Sequence, residues 1–459
     1  VSAATVTRSR STRARTNRVA VAALVVVVAA AQFAVALVAS RNPGNALEIV
    51  VGLVLFASAI AFPRFILSIA LLATLFARRV GPAQFDLSVA DAVTVLGVIA
   101  ALRFVPWRDR RLRLVLGGLA IYLGALAVTL ISNNALRSVL EWGHRGLLFG
   151  GSILIGVAIV HAGVVRPALR LFVLGSSIVA VFATVDTLLS GFQPAQMGFI
   201  NKNHSGVVLA AAFLVVWAAA PRLNWPREVI LLLRLVLIVG LAATQSRAAA
   251  IGLVVALAVR PLLQGNRGRR RQVSIALLVA CAALLALTAV SINERDLSRP
   301  TNELKFNAIN TRTDVLSTTF NDVFLDNRLV GAGLRYWTDP AAPFPTPHNW
   351  VVGELAEGGV IALAGILVLL GATAIALRRS TALLAELAML AFVLRVTQGF
   401  ADIFWVAGPL TAALILTGLG ITNDPGVDDD EAEGGARSLL RAPGTMTSPP
   451  VRAPGSFRP

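Results

Sequence analysis

The chain has 459 residues, of which 56% are hydrophobic and 14% charged. A soluble domain carries about 25% charged residues, so a soluble enzyme, a secreted domain and a disordered chain are all excluded. The 41 Lys and Arg outnumber 24 Asp and Glu, for a net charge of +17. These cations stand in short clusters between apolar runs, the pattern of cytoplasmic loops, and nucleic acid is not expected as a partner.

Most of the apolar residues stand in runs of about 17 to 22, enough to span ~30 Å of hydrocarbon, with 64–77 and 88–102 shorter. In chain order they predict spans at 19–40, 46–62, 64–77, 88–102, 114–131, 146–161, 169–189, 204–220, 228–245, 248–262, 273–291, 359–377, 382–400 and 403–421, the last two separated at Gly399. The fold class is an all-α polytopic membrane protein with about 12–14 transmembrane helices. Residues 1–18 read as a basic cytoplasmic tail containing Arg8, Arg10, Arg13, Arg15 and Arg18. The segment 19–291 holds spans one to eleven, 292–350 a long extracytoplasmic loop, and 351–422 spans twelve to fourteen. The Pro, Gly, Ser and Arg-rich segment 423–459 reads as a disordered cytoplasmic tail. With the N-terminus inside, alternation places the clusters Arg108/Arg110/Arg111/Arg113, Arg166/Arg170, Arg222/Arg227, Arg267/Arg269/Arg270/Arg271 and Arg378/Arg379 on the cytoplasmic side. Both termini are then cytoplasmic and the functional face extracytoplasmic. A bacterial cytoplasmic (inner) membrane is the expected location.

The single cysteine, Cys281, lies inside an apolar run, so neither a disulfide nor a thiolate site is expected. Four histidines without a pair at helical spacing suggest no metal site, and no nucleotide-binding loop is present, so no cofactor is expected.

Four polar features fall on the predicted outer face. Loop residues Arg137 and Arg145 supply cations between the spans 114–131 and 146–161, and Arg312, Arg328, Arg335 and Arg395 lie farther along. Each alone is compatible with a solvated or headgroup-facing charge. Asn201, Lys202, Asn203 and His204 offer a cation, two amides and an imidazole where the span 204–220 begins; helix capping by Asn203 is a compatible role. Thr244-Gln245-Ser246-Arg247 is so tight a turn that Arg247 must sit at headgroup depth. There it either pairs with lipid-linked phosphate or snorkels to ordinary headgroups. Pro347-His348-Asn349-Trp350 stands where the long loop re-enters the membrane. His348 can act there as a general base near neutral pH, or be a surface histidine beside an interfacial tryptophan. Asp314, Asp322, Asp326, Asp339, Glu354 and Glu357 are candidates to orient it.

Taken in order, Gly198/Asn201/Asn203 before a span, Ser246-Arg247-Ala248 in a tight outer turn, and His348-Asn349 followed by Glu357-Gly358-Gly359 resemble the bacterial O-antigen ligase and O-antigen polymerase family. Residues 312–333 also resemble the family's Arg, short helix and Pro-x-x-Gly-x-Gly turn, but Asn327-Arg328-Leu329-Val330 stands before Gly331-Ala332-Gly333 without the proline. The resemblance implies a metal-independent, inverting glycosyltransferase of the membrane-embedded C-type fold. Such enzymes move a glycan from a polyprenyl diphosphate, undecaprenyl diphosphate in bacteria, to an acceptor hydroxyl on a glycan, lipid or protein. By position, His348 would be the base that deprotonates the acceptor and Arg247 would bind the diphosphate. Arg312, Arg145 and Arg137 would supply a second phosphate contact, with Asn201, Lys202 and Asn203 as further substrate contacts. Ligase and polymerase share these motifs and differ in acceptor. A transporter or lipid-linked glycan flippase is the rival class, and Arg234 and Asp186 are the membrane-embedded ionisable residues that it would use.

Overall fold

The computed structural model describes residues 54, 56–76, 88–132, 135–195, 202–263, 315–338 and 347–423. The tails 1–18 and 424–459, the span 19–40, most of 46–62, the span 273–291, and the site candidates Asn201 and Arg312 lie outside the described residues. The described residues are helical and contain no sheet.

Helix α1 runs Pro63–Ala73, α2 Val89–Ala101, α3 Arg110–Ser132, α4 Leu136–His161, α5 Val165–Leu189, α6 Lys202–Ala218, α7 Arg227–Thr244, α8 Arg247–Leu263, α9 Trp350–Arg378, α10 Ala385–Gln398 and α11 Pro409–Gly418. Among them, α3, α4, α5 and α9 are each long and apolar enough to cross a membrane, and α1, α2, α6 and α11 are shorter apolar helices. The chain is thus a helical membrane protein.

Local chemistry sets the helix starts. Pro63 and Pro409 occupy first-turn positions where the missing N–H costs nothing. Ser88 caps α2 reciprocally: its backbone N–H donates to Asp91 Oδ2 at 2.7 Å, and its Oγ accepts from the Asp91 N–H at 3.2 Å. Asn349 caps α9, its Oδ1 accepting from the N–H groups of Val351 at 2.9 Å and Val352 at 3.3 Å. Between α7 and α8 the chain reverses through Gln245 at φ +50°, and Arg247 is the first residue of α8.

Helix α9 packs along α3, α7 against α5 and α6, α8 against α10, and α11 against α4 and α10. Leu126, Phe149, Phe172, Leu209, Leu214, Ile366 and Leu414 lie in the shared buried core.

Two features depart from the sequence reading. The first concerns α4. Arg137 and Arg145 do not stand in a loop, because α4 begins at Leu136 and continues through a π-turn at Leu147–Gly151, just past Arg145, to His161. A net polar first half hid this continuity, because hydropathy alone starts the helix where the side chains become apolar. The π-turn is also the kind of helix irregularity common near functional sites.

The second concerns α9, which is broken at Gly359 (φ +66°, ψ −165°). The chain around Gly331 fills the break. Ala332 and Gly333 donate backbone N–H groups to the carbonyls of Ala356 at 2.8 Å and Glu357 at 3.0 Å. In return Val360 donates to the Arg328 carbonyl at 2.9 Å. A Cβ on Gly331 would stand 2.2 Å from the Glu357 backbone, and its φ is +70°, so only glycine fits. The clip satisfies backbone groups that a broken membrane helix would otherwise leave bare, and it draws the loop segment 328–337 against α9.

Candidate functional site

A cavity of about 640 Å³ opens among the N-terminal ends of α2, α4, α6, α9 and α11 and the C-terminal end of α10. The helix ends that meet here are those expected on one membrane face, so residues distant in sequence share one polar chamber.

His348 stands in its wall just before α9, one-third exposed, with Nδ1 3.5 Å from Oδ1 of Asp402. That distance is longer than an ordinary N–H···O hydrogen bond, and Nδ1 has no hydrogen-bond partner among the described residues. Asp402, in the turn between α10 and α11, was not among the acids weighed from sequence. Its position in a short outer turn between the last two predicted spans is the signal that could have found it. Burial pushes the Asp402 carboxyl up, but His348, the Ile403 N–H and the Arg395 guanidinium outweigh it and hold the group below its ordinary 3.8. The Ile403 N–H donates to Oδ1 at 2.9 Å and Gln398 Nε2 to Oδ2 at 3.3 Å. Arg395, buried in α10, donates in turn to Gln398 Oε1 and to the carbonyls of Ile403 and Phe404. A line of side chains thus runs from Arg395 through Gln398 and Asp402 to His348.

The opposite wall is a buried ionic cluster that sequence reasoning missed. Arg145 is fully buried, and all three of its nitrogens are engaged. Nε donates to Glu141 Oε1 at 3.2 Å, Nη1 to Tyr122 and Glu354 at 2.9 Å each, and Nη2 to Glu357. Tyr122 donates its hydroxyl to Glu354 at 3.0 Å, and Trp405 Nε1 donates to the same carboxylate at 2.6 Å. The guanidinium lies 4.9 Å over the Trp405 ring, which stacks on Tyr122 with centroids 5.6 Å apart. His144 bridges Asp91 at 2.8 Å and Glu141 at 3.3 Å. Arg335 donates its backbone N–H to Glu357 Oε1 at 2.9 Å. Next to it, burial pushes the Tyr336 hydroxyl up to about 12. The sequence signal for the cluster was an acid, Asp91, inside an otherwise apolar run and the Glu141–Arg145 segment between two spans. Glu354 and Glu357, proposed from sequence to orient His348, belong to this cluster through Arg145.

The other candidates divide. Arg247 is exposed at the start of α8 and has no partner among the described residues. Lys202 is exposed at the start of α6, and its neighbour Asn203 lines the cavity with Oδ1 3.4 Å from Ser246 Oγ. That contact brings the starts of α6 and α8 together, so Lys202 and Arg247, neither of which lines the cavity, stand next in sequence to Asn203 and Ser246 at two helix N-termini, where partial positive charge adds to their own. Arg137 is half-buried in the first turn of α4 and is not a lining residue. Arg234 donates to the Val216 carbonyl at 3.1 Å and lies 4.8 Å over Trp217, which accounts for its charge structurally.

Fold and site therefore define a helical membrane protein with a polar chamber at one end of its bundle, a class that includes envelope glycan enzymes. Residues 231–367 match the family profile described as O-antigen ligase. This segment contains most of α7, α8, the clip, His348 and the first part of α9, and over it the chain is similar to the O-antigen ligase family. No curated protein matches the chain.

Proposed function

We propose that the protein is a glycosyltransferase of the O-antigen ligase type. In this reading it transfers a glycan from a polyprenyl diphosphate to an acceptor hydroxyl at the outer face of the cytoplasmic membrane, with both termini inside and twelve to fourteen spans. The observation that carries the reading is His348 at the wall of a polar chamber with Asp402 behind its Nδ1, within reach of the motif that the family profile matches.

The chemistry needs one proton acceptor and charge neutralisation at the leaving group. Asp402 accepts Nδ1–H and keeps Nε2 unprotonated and turned to the acceptor. As Nε2 takes the acceptor proton, the acceptor oxygen forms a bond to the anomeric carbon. The bond from that carbon to the diphosphate breaks on the opposite face, and its electron pair leaves with the phosphate oxygen, inverting the anomeric centre. Asp402 then stabilises the imidazolium, as the carboxylate does in a catalytic triad. Arg247 and Lys202, without a partner among the described residues, neutralise the departing diphosphate, for which a guanidinium is the better bidentate partner. Arg145 is assigned differently from the sequence expectation: with all three nitrogens engaged, it organises the carboxylate wall. No metal is invoked.

The test is deletion of the gene, with analysis of surface glycan and of extracted polyprenyl-linked glycan, complemented by wild type or by His348→Ala. Long chains stranded on lipid identify a ligase and single stranded repeats a polymerase. Restoration of surface glycan by His348→Ala, or glycan pools unchanged by deletion, would overturn the reading.

A further inference from the structure

The chamber holds buried polar atoms that the fold leaves unanswered. His204, Trp350 and Arg395 all line it and are 5%, 5% and 1% exposed. His204 Nδ1, Trp350 Nε1 and Arg395 Nε have no hydrogen-bond partner among the described residues. Buried polar groups in native proteins are nearly always paired, so these three orphans, with His348 Nδ1 as a fourth in the same cavity wall, mark a place where something else supplies the bonds.

Their chemistry is mixed. His204 Nε2 lies 3.1 Å from the Thr74 carbonyl, so Nε2 carries the proton, and in the neutral ring Nδ1 offers a lone pair. Trp350 Nε1 and Arg395 Nε are donors only. One acceptor and two donors suit hydroxyl groups, which both give and receive. Two of these residues stand against the Phe404 ring. Trp350 stands 6.2 Å from it, the Arg395 guanidinium 5.0 Å over it, and Trp405 edge-on at 5.1 Å. An aromatic wall beside mixed donors and acceptors is what a sugar ring requires, since its C–H faces are apolar and its rim is polar.

Charge narrows the class. Among the described lining residues, Asp91, Glu141, Glu354, Glu357 and Asp402 face the guanidiniums of Arg145, Arg335 and Arg395, and His144, held between Asp91 and Glu141, is a fourth cation already paired within the wall. Arg145 is consumed by carboxylates, and Arg395 spends both Nη atoms on Gln398 and backbone carbonyls. The interior is acidic, and a uronate or phosphate placed there would add like charge at low dielectric. Arg247 and Lys202, without a partner among the described residues, are exposed at helix starts instead.

We propose that His204, Trp350 and Arg395 form a saccharide subsite for an acceptor sugar that is neutral or amine-bearing. The anionic diphosphate of the donor stays outside the acidic chamber, at Arg247 and Lys202. Assignment of the sugar to the acceptor rests on the glycosyltransferase reading above; the binding chemistry does not.

The experiment places full-length protein in lipid nanodiscs on an oligosaccharide array carrying neutral, amine-bearing, uronate-bearing and phosphate-bearing glycans. Neutral or amine-bearing glycans bind and the anionic ones do not. Trp350→Phe deletes an N–H without a partner among the described residues, together with part of a buried ring, so its thermal midpoint falls, and binding is compared below both midpoints, where apparent affinity drops about tenfold, the worth of one lost hydrogen bond. His204→Phe weakens binding likewise and serves as a second, independent variant. Binding of anionic glycans as tight as neutral ones, affinity unmoved by both substitutions, or no glycan bound at all would overturn the subsite, the last meaning that solvent alone satisfies the three atoms. Transfer is not the readout, so this result stands apart from the His348→Ala complementation, and either proposal can fail alone.

Discussion

Arg145 and Arg247 lie at the same end of the bundle, each near the start of a helix, and the sequence offers both as phosphate ligands. One is fully buried with three glutamates and a tyrosine at its nitrogens. The other is exposed at the first residue of α8, with no partner among the described residues. An arginine whose charge the fold has already consumed maintains structure, while one left uncommitted beside a cavity is available to a substrate. The difference lies entirely in which acids tertiary packing brings within reach.

The largest effect expected from breaking this contrast is at Arg145. Arg145→Ala leaves Glu141, Glu354 and Glu357 facing one another without their shared cation, and removing one partner of a buried pair costs about 3–5 kcal/mol. The variant therefore fails to accumulate in membranes, measured by quantitative immunoblotting; normal accumulation would refute the structural assignment. His348→Ala accumulates normally and loses about 10²–10⁴-fold in transfer, the usual worth of general-base assistance, followed by conversion of extracted lipid-linked glycan in proteoliposomes. Arg247→Ala also accumulates and loses about 10²–10³-fold. Arg247→Lys recovers part of that loss, because charge returns without the bidentate fork; full recovery would mean that only net charge matters there.

The smallest effect is a pH dependence of stability. Asp402 is held below its ordinary 3.8 in the folded protein, so its contribution is complete above the unfolded value of about 3.9 and disappears as pH falls through the folded value. The difference in melting temperature between wild type and Asp402→Asn is accordingly smaller at about pH 3 than at about pH 5. A difference undiminished at the lower pH would place another group behind it.

Much of the chamber end of the bundle was readable from sequence because membrane burial leaves so coarse a signature. Ser246-Arg247 in a tight turn, His348 and Asn349 at a membrane entry, and a helix ending at Gln398 before Gly399 all follow from hydropathy, charge and turn chemistry. The α4 start was misread because Leu136–Gly146 is polar, and its burial comes from ionic partners on α3 and α9, which no local pattern encodes. The same holds for the pairing of His348 with Asp402, 54 positions apart, and for the break in α9, where Gly358-Gly359 is legible but the clip at Gly331 that fills it is not.

The sequence by itself determined that this is a helical membrane protein, which family its motifs resemble, and which cations and imidazoles stand near the helix ends. Those properties depend on the transfer of side chains between water and hydrocarbon, a quantity that adds up residue by residue along the chain. Only the tertiary structure decided which charges neutralise each other, which acid stands behind His348, and that the chamber interior is acidic. Those depend on distances of a few ångströms between residues on different helices, and Coulomb and hydrogen-bond energies at that range are set by packing.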